Sequence, residues 1–248
     1  MRIKRAISIL SYNRAENLPI IIENVIKTAP ADCDIFVCDD GSTDDTPSVV
    51  AKFPVIYVRG DNLGVAINKN RALYLMRDHH FSAMIEDDLY PTSSGWFQIY
   101  ETVSQYTDIH HFCRIQDKEI PESIPPFTEY LKETLQITPI YASSPRGDFT
   151  FLTKKVLQIV GGLNPLFKGV GFAHGEWSNR VAKAGLVSHP LHWVDIKEAR
   201  DKFSQIGDTV GGRWNLSEEE LKKQLRYNGK VDKSLRKNDY IFCPLEIA

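Results

Sequence analysis

Short apolar runs alternate with amphipathic stretches through the first ninety residues, the rhythm of a strand, helix, strand series that builds a parallel sheet. Strands are predicted at 6–10 (AISIL), 34–40 (DIFVCDD), 55–60 (VIYVRG) and 83–88 (AMIEDD). A helix is expected from about Asn17 to Thr28, with Pro19 in its first turn and Ile20, Ile21, Val25 and Ile26 on a core face. A second starts near Thr46 and Pro47, and a third covers Val65 to Arg77, carrying Ala66, Leu73 and Met76.

Beyond Trp96 a further helix runs to about Tyr106, and then the pattern blurs. Residues 114–147 hold Pro121, Pro125, Pro126, Pro139 and Pro145 around one helical piece, FTEYLKETL, and read as a surface excursion. Regularity returns at 148–164, a strand followed by a helix stopped by Gly161 and Gly162. A charged helix, SEEELKKQLRYNGK, carries a capping box in Ser217 and Glu220.

Composition narrows the classes. The chain is 42% hydrophobic with a formal charge of -2, so it has ample core material and no bulk positive field to draw nucleic acid or anionic lipid. Cys33, Cys38, Cys113 and Cys243 include no CxxC pair and read as free core thiols. The start, MRIKRAISIL, has an apolar run shorter than the roughly 7 to 15 residues of a signal peptide, and nowhere do about 20 apolar residues run together. A cytoplasmic location without a transmembrane segment or a stable nucleic-acid partner is expected.

Ligands of open α/β sheets bind outside the carboxyl ends of the strands, and three of these ends are strongly polar. The first runs into Ser11, Tyr12, Asn13 and Arg14, the second into Asp39, Asp40 and Gly41, and the fourth into Glu86, Asp87 and Asp88. Apposed carboxylates repel unless a divalent cation or a hydrogen-bonded ligand compensates. Tyr12 offers a face for a nucleobase, and Asp39 or Asp40 can accept the imide N–H of uracil.

These residues also carry a resemblance. ISILSYNRAENLPIIIENVI, IFVCDDGSTDDT, DNLGVAINKNRAL and IEDDLYP, in that order, are similar to the nucleotide-binding half of a family 2 glycosyltransferase with the GT-A fold. The likeness spans 4–97 and continues more loosely to about 186. It implies a Rossmann-like, mostly parallel central sheet flanked by helices, with an acceptor-side extension. The division implied is 1–97 for the nucleotide sugar, 98–216 for acceptor and catalysis, and 217–248 as a helical tail.

The reaction implied is transfer of a sugar from a nucleoside diphosphate, UDP favoured, to a hydroxyl of a saccharide or glycoconjugate, assisted by Mn²⁺ or Mg²⁺. The acidic turn implies Asp88 as metal ligand, with Glu86 or Asp87 nearer the sugar, although it reads EDD and not DXD. Asn62 and Lys69 match a ligand-facing pattern, Lys69 toward the diphosphate and Asn62 either there or capping its helix. Resemblance places a general base at Glu176 in GVGFAHGEWSNRVAKAG, where Trp177 replaces the second acid of the usual pair. Trp177 is then an acceptor platform or core, His174 a donor-sugar contact or a loop residue, and Asp148 a polar group near the donor sugar. His192, or His189, is a candidate third metal ligand, and GDTVGGRW with Arg200, Lys202 and Arg213 a candidate lid. The pairs His79–His80 and His110–His111 read as surface features. A nucleotidyltransferase is disfavoured because SYNRAEN lacks a glycine-rich phosphate loop. A binding protein without transferase activity is the remaining alternative.

Overall fold

Ile7 and Ile9 point to one side of strand β1 (Arg5–Ser11) and Ala6 and Leu10 to the other, and all four are buried. A strand apolar on both faces must be covered on both, which makes β1 the centre of the sheet. The computed structural model describes residues 2–113, 118–119, 125–142, 145–169, 171–187, 193–206, 217–238 and 240–245.

Helix α1 (Leu18–Thr28), strand β2 (Cys33–Asp39), helix α2 (Thr46–Val50), strand β3 (Ile56–Arg59), helix α3 (Val65–Leu75) and strand β4 (Phe81–Glu86) follow β1 as predicted. The core face of α1 is rotated from expectation: Leu18, Ile21, Ile22, Val25 and Thr28 are buried, while Ile20 and Ile26 are exposed. Its apolar arc is wider than its contact surface, so the sequence alone does not fix which edge is covered.

Strand β5 (Leu89–Pro91) and helix α4 (Trp96–Val103) lead to β6 (Ile109–Cys113), β7 (Lys118–Glu119), α5 (Phe127–Leu135), β8 (Pro139–Ala142) and β9 (Pro145–Thr153). Helices α6 (Lys154–Ile159) and α7 (Ala173–Lys183), strand β10 (Trp193–Ile196), the turn α8 (Lys197–Arg200), β11 (Phe203–Gln205) and helix α9 (Glu218–Leu235) complete the order. The central sheet runs β3-β2-β1-β4-β9-β6; the first four are parallel, and β9 is antiparallel to both its neighbours. The mixed α/β, mostly parallel expectation holds.

The proline-rich stretch is not a surface excursion over its described residues. β8 pairs with β10 and β7, and Leu131 and Tyr141 join the main core. His110 and His111 lie in β6 and are fully buried, because β6 is a covered strand of the main sheet and not a surface loop. His79 is likewise buried and pairs with Asp34 at 2.8 Å. The capping box is present: Ser217 Oγ accepts from the Glu220 N–H and the Glu220 carboxylate from the Ser217 N–H.

Helix α3 buries Asn68, Lys69, Asn70 and Arg71, four polar residues in a row. Asn68 donates to the Cys38 carbonyl at 2.9 Å and accepts from Arg71 at 2.6 Å. Asn70 clamps the backbone after α6, donating to the Leu163 carbonyl (2.9 Å) and accepting from its N–H (2.7 Å). Asn70→Ala strands both backbone groups in the interior and is expected to cost about 3 kcal/mol, read by urea denaturation.

Candidate active site

Three loops at the carboxyl ends of β1, β2 and β4 are tied into one wall. The Asp40 N–H donates to the Ser11 carbonyl at 2.9 Å, and the Tyr12 N–H to Asp87 Oδ2 at 3.0 Å. Asn13, at φ +52°, takes the Thr43 N–H on its side-chain oxygen and gives its own N–H to Ser42. Asp40 in turn accepts from the N–H groups of Leu63 (3.2 Å) and Gly64 (2.9 Å), holding the loop that opens α3. Gly41 (φ +81°) sits where a Cβ would meet the Asn62 nitrogen at 2.7 Å, so only glycine makes this turn unstrained.

The wall bounds a cavity of about 280 Å³. Ser11, Tyr12, Arg14, Asp40, Asn62, Lys69, Glu86 and Asp87, all singled out in the sequence, line it. Tyr12 is 37% exposed, and its hydroxyl accepts from Asn62 Nδ2 at 3.0 Å, which holds the ring at the rim. Asn62 therefore does not cap α3: the N-cap position is Gly64, with no side-chain hydrogen bond. Lys69 Nζ bonds Glu86 Oε1 at 3.1 Å and the Gly147 carbonyl at 2.7 Å, joining α3 to β4 and β9.

Burial, reinforced by the charge of Glu86 and opposed by the Tyr12 N–H, pushes the Asp87 carboxyl up to about 6. Asp40 is also raised, again chiefly by burial. The acidic turn thus holds negative charge at a cost that a cation would offset. Glu86 is already matched by Lys69, so the carboxylates best suited to a hard divalent ion are Asp87 and Asp88, whose oxygens are the ligands such ions take. Among the described residues no group of three or more His, Cys, Asp or Glu stands ready to hold a metal ion.

Asp88 is not among the residues that line the first cavity. Its Oδ2 accepts from Gln205 Nε2 at 3.0 Å, and its carbonyl takes the Ile206 N–H, fastening the β5–β11 ribbon. A second cavity of about 120 Å³ opens there, lined by Leu89, Arg146, Arg200, Phe203, Ser204 and Gln205. The acidic turn stands between the two hollows.

Several expected site residues are elsewhere. Asp39 is fully buried and saturated, accepting from the Ser42 N–H and Oγ and the Tyr57 hydroxyl, so Asp40 is the carboxylate of the pair that reaches the cavity. Glu176, where the base was expected, is held by two partners. Its Oε1 accepts from Arg180 Nε (2.7 Å) and the Tyr240 hydroxyl (2.5 Å), its Oε2 from Arg180 Nη2, and it lines neither cavity. Arg180 spends its remaining donors on the carbonyls of Val160, Gly162 and Ile241. Trp177 is core, with its indole N–H on the Gly161 carbonyl.

His174 packs behind Lys69, its Nε2 3.1 Å from His111 Nδ1. Burial holds both rings neutral, His111 down to about 3. Asp148 stands beside Arg146 at the acidic turn. His189, His192 and the Gly207–Arg213 segment lie outside the described residues. Arg200 is placed, bonded to Asp195 at 2.8 Å. The thiols of Cys33 and Cys38 are free and pushed up by burial, to about 12 and about 11.

A profile of glycosyl transferase family 2 matches residues 6–154, more than half of the chain. The chain belongs to glycosyl transferase family 2. Among curated proteins none matches by sequence. Solved glycosyltransferases share the fold: the mannosyltransferase PcManGT of Pyrobaculum calidifontis with GDP-Man and Mn²⁺ (TM-score 0.55, 17% identity, 74% of this chain and 53% of that one) and GalNAc-T7 with UDP, GalNAc and Mn²⁺ (0.57, 14%, 77% and 43%). TarS residues 1–349 of S. aureus in complex with UDP also shares the fold (0.51, 14%, 93% and 65%). The chain spans about half the length of the first two. The GT-A fold inferred for this family 2 chain is thereby shown.

Two parts of this family 2 site escaped the sequence reading. Gln224 of α9 lines the first cavity beside Gly169, whose φ of +54° and missing Cβ let the amide pack against the backbone. The residues assigned to a tail therefore include a wall of the pocket. Arg71, 3.9 Å from Asp40, was signalled only by a polar run where a helix should bury apolar residues. No described helix is long and apolar enough to cross a membrane.

Proposed function

We propose that this chain transfers a sugar from a nucleoside-diphosphate sugar, a UDP-sugar in preference to others, to an acceptor hydroxyl, with inversion by direct displacement. The observation that carries the reading is the single cavity in which an aromatic ring, an imide-accepting carboxylate, two cationic side chains and an acidic pair line one wall. In this reading the base stacks on Tyr12 and donates its imide N–H to Asp40, whose carboxylate keeps lone pairs beyond those taken by Leu63 and Gly64. Arg14 faces the diphosphate, and Lys69 has one N–H left for a phosphate oxygen after Glu86 and Gly147 take two.

Asp87 and Asp88 would hold Mn²⁺ or Mg²⁺, which supplies Lewis-acid stabilisation of the departing diphosphate. The carboxylate pair supplies only oxygen ligands, which fits either ion. The solved relatives, carrying GDP-Man or UDP with Mn²⁺, support a nucleotide and a cation in this fold without choosing the base or the sugar. A saccharide or glycoconjugate is the proposed acceptor.

Thermal shift with UDP, GDP, dTDP and CDP, each with and without Mn²⁺, tests the base and the cation together. Saturation at about one hundred times Kd stabilises by about 2.7 kcal/mol, so UDP with Mn²⁺ is expected to raise Tm by roughly 5–10 °C. A shift for GDP alone would overturn the uridine preference. No shift for any of the four would overturn the nucleotide site.

A further inference from the structure

A displacement at a sugar carbon needs a group that takes the acceptor's proton, and both oxygens of Glu176 are held by Arg180 and Tyr240. Glu86 is bound by Lys69, Asp87 by the Tyr12 N–H, Asp40 by the α3 loop and Asp88 by Gln205. Asp148 is the carboxylate left with no part in donor or cation binding. It is 8% exposed, Arg146 holds its Oδ2, and its Oδ1 is buried with no hydrogen-bond partner from another described residue.

The sheet places that oxygen. β9 pairs antiparallel with β4, ending at Ile85 opposite Phe149, and the next step of the register sets Asp148 across from Glu86. Side chains alternate along a strand, so Asp148 and Glu86 share a face at the edge where the acidic turn begins. Two residues earlier on the same strand, Arg146 lines the second cavity together with Gln205, the side chain that holds Asp88. Asp148 itself lines neither cavity, but Arg146, which holds it, lines the second and Glu86, opposite it, lines the first.

Resting on the transferase reading, we propose that Asp148 is the general base of the transfer, acting on an acceptor hydroxyl that approaches from the second cavity. The hydroxyl oxygen bonds to the anomeric carbon as its proton passes to Asp148 Oδ1. The bond from that carbon to the β-phosphate oxygen breaks, and its electron pair leaves with the diphosphate. Asp148 afterwards returns the proton to solvent.

The test compares wild type, Asp148→Asn and Asp148→Glu. UDP release from UDP-glucose, UDP-GlcNAc and UDP-GalNAc is followed with Mn²⁺, using water and a panel of free saccharides as acceptors, and donor Kd is measured by calorimetry. A general base contributes about 10²–10⁴-fold, so D148N is expected to lose at least about 100-fold in kcat with donor Kd within about twofold, and D148E to recover part of it. Unchanged turnover in D148N overturns the base. So does a loss of donor affinity as large as the loss of rate, which would put Asp148 on the donor sugar. A wild type that binds none of the donors overturns the transferase reading itself, whereas one that binds donor and releases no UDP to any acceptor overturns the base and the transfer while sparing the nucleotide site.

Discussion

Glu176→Gln lowers stability by about 3–5 kcal/mol, which for a chain of this size is roughly 10 °C in Tm, while turnover per folded molecule at low temperature stays close to wild type. The amide replaces one carboxylate oxygen with a donor, and every group facing that position is itself a donor: Arg180 Nε, Arg180 Nη2 and the Tyr240 hydroxyl. Arg180 cannot shed its charge, and its side chain is 3% exposed. The variant therefore leaves a buried guanidinium without its counter-charge. The loss is not local, because Arg180 also binds the carbonyls of Val160, Gly162 and Ile241, and Tyr240 binds Asn164. These contacts dock residues 240–245 against α6 and α7. Differential scanning calorimetry reads the stability, and UDP release below the transition reads the chemistry. A stable E176Q with abolished turnover would restore the base role and sink the structural one.

That residue also marks where sequence reasoning stops. Motif position alone sets Glu176 at the start of a helix after a glycine-rich stretch, where a base is expected. In the fold Glu176 pairs with Arg180 at i,i+4, because the helix turns that face inward. The opposite holds for β1, β2 and β4. Each is an apolar run ending in polar residues, as a buried parallel strand requires, so Ser11, Tyr12, Arg14, Asp40, Glu86 and Asp87 could be named from sequence and line one cavity, while Asp39 and Asp88 do not. Strands β5, β8, β10 and β11 are three or four residues long and exist only through pairing with distant partners. No local period announces them. Gln224 was illegible for the same reason: nothing in a charged surface helix says that one amide meets Gly169 and closes a pocket.

Asp87→Asn is expected to stabilise the ligand-free protein and to abolish cation-dependent donor binding. The folded-state value of about 6 lies above the usual value of about 3.9, so the fold favours the protonated carboxyl. Its contribution is fully present below about pH 4 and is lost as the pH rises through about 6. Two units at 1.36 kcal/mol each set an upper bound of about 3 kcal/mol for what ionisation costs at neutral pH, with local relaxation reducing it. Asparagine stays neutral at every pH and keeps an oxygen for the Tyr12 N–H, so the loop should close as before. D87N should then unfold about 1–3 kcal/mol later than wild type at pH 7.5, with that gap cut to about a third at pH 4.5 and nearly closed at pH 3.5, by urea titration without metal. At pH 7.5 with Mn²⁺ and UDP the order reverses. Wild type gains the free energy of binding, and the variant, offering a neutral amide where a dication needs a carboxylate, loses about 100-fold or more in affinity. In the proposed site, burial makes ionised Asp87 costly, and a bound cation would offset that cost. Equal stability of D87N and wild type across pH, or Mn²⁺-dependent UDP binding surviving in D87N, would show that Asp87 neither stores that cost nor holds the ion.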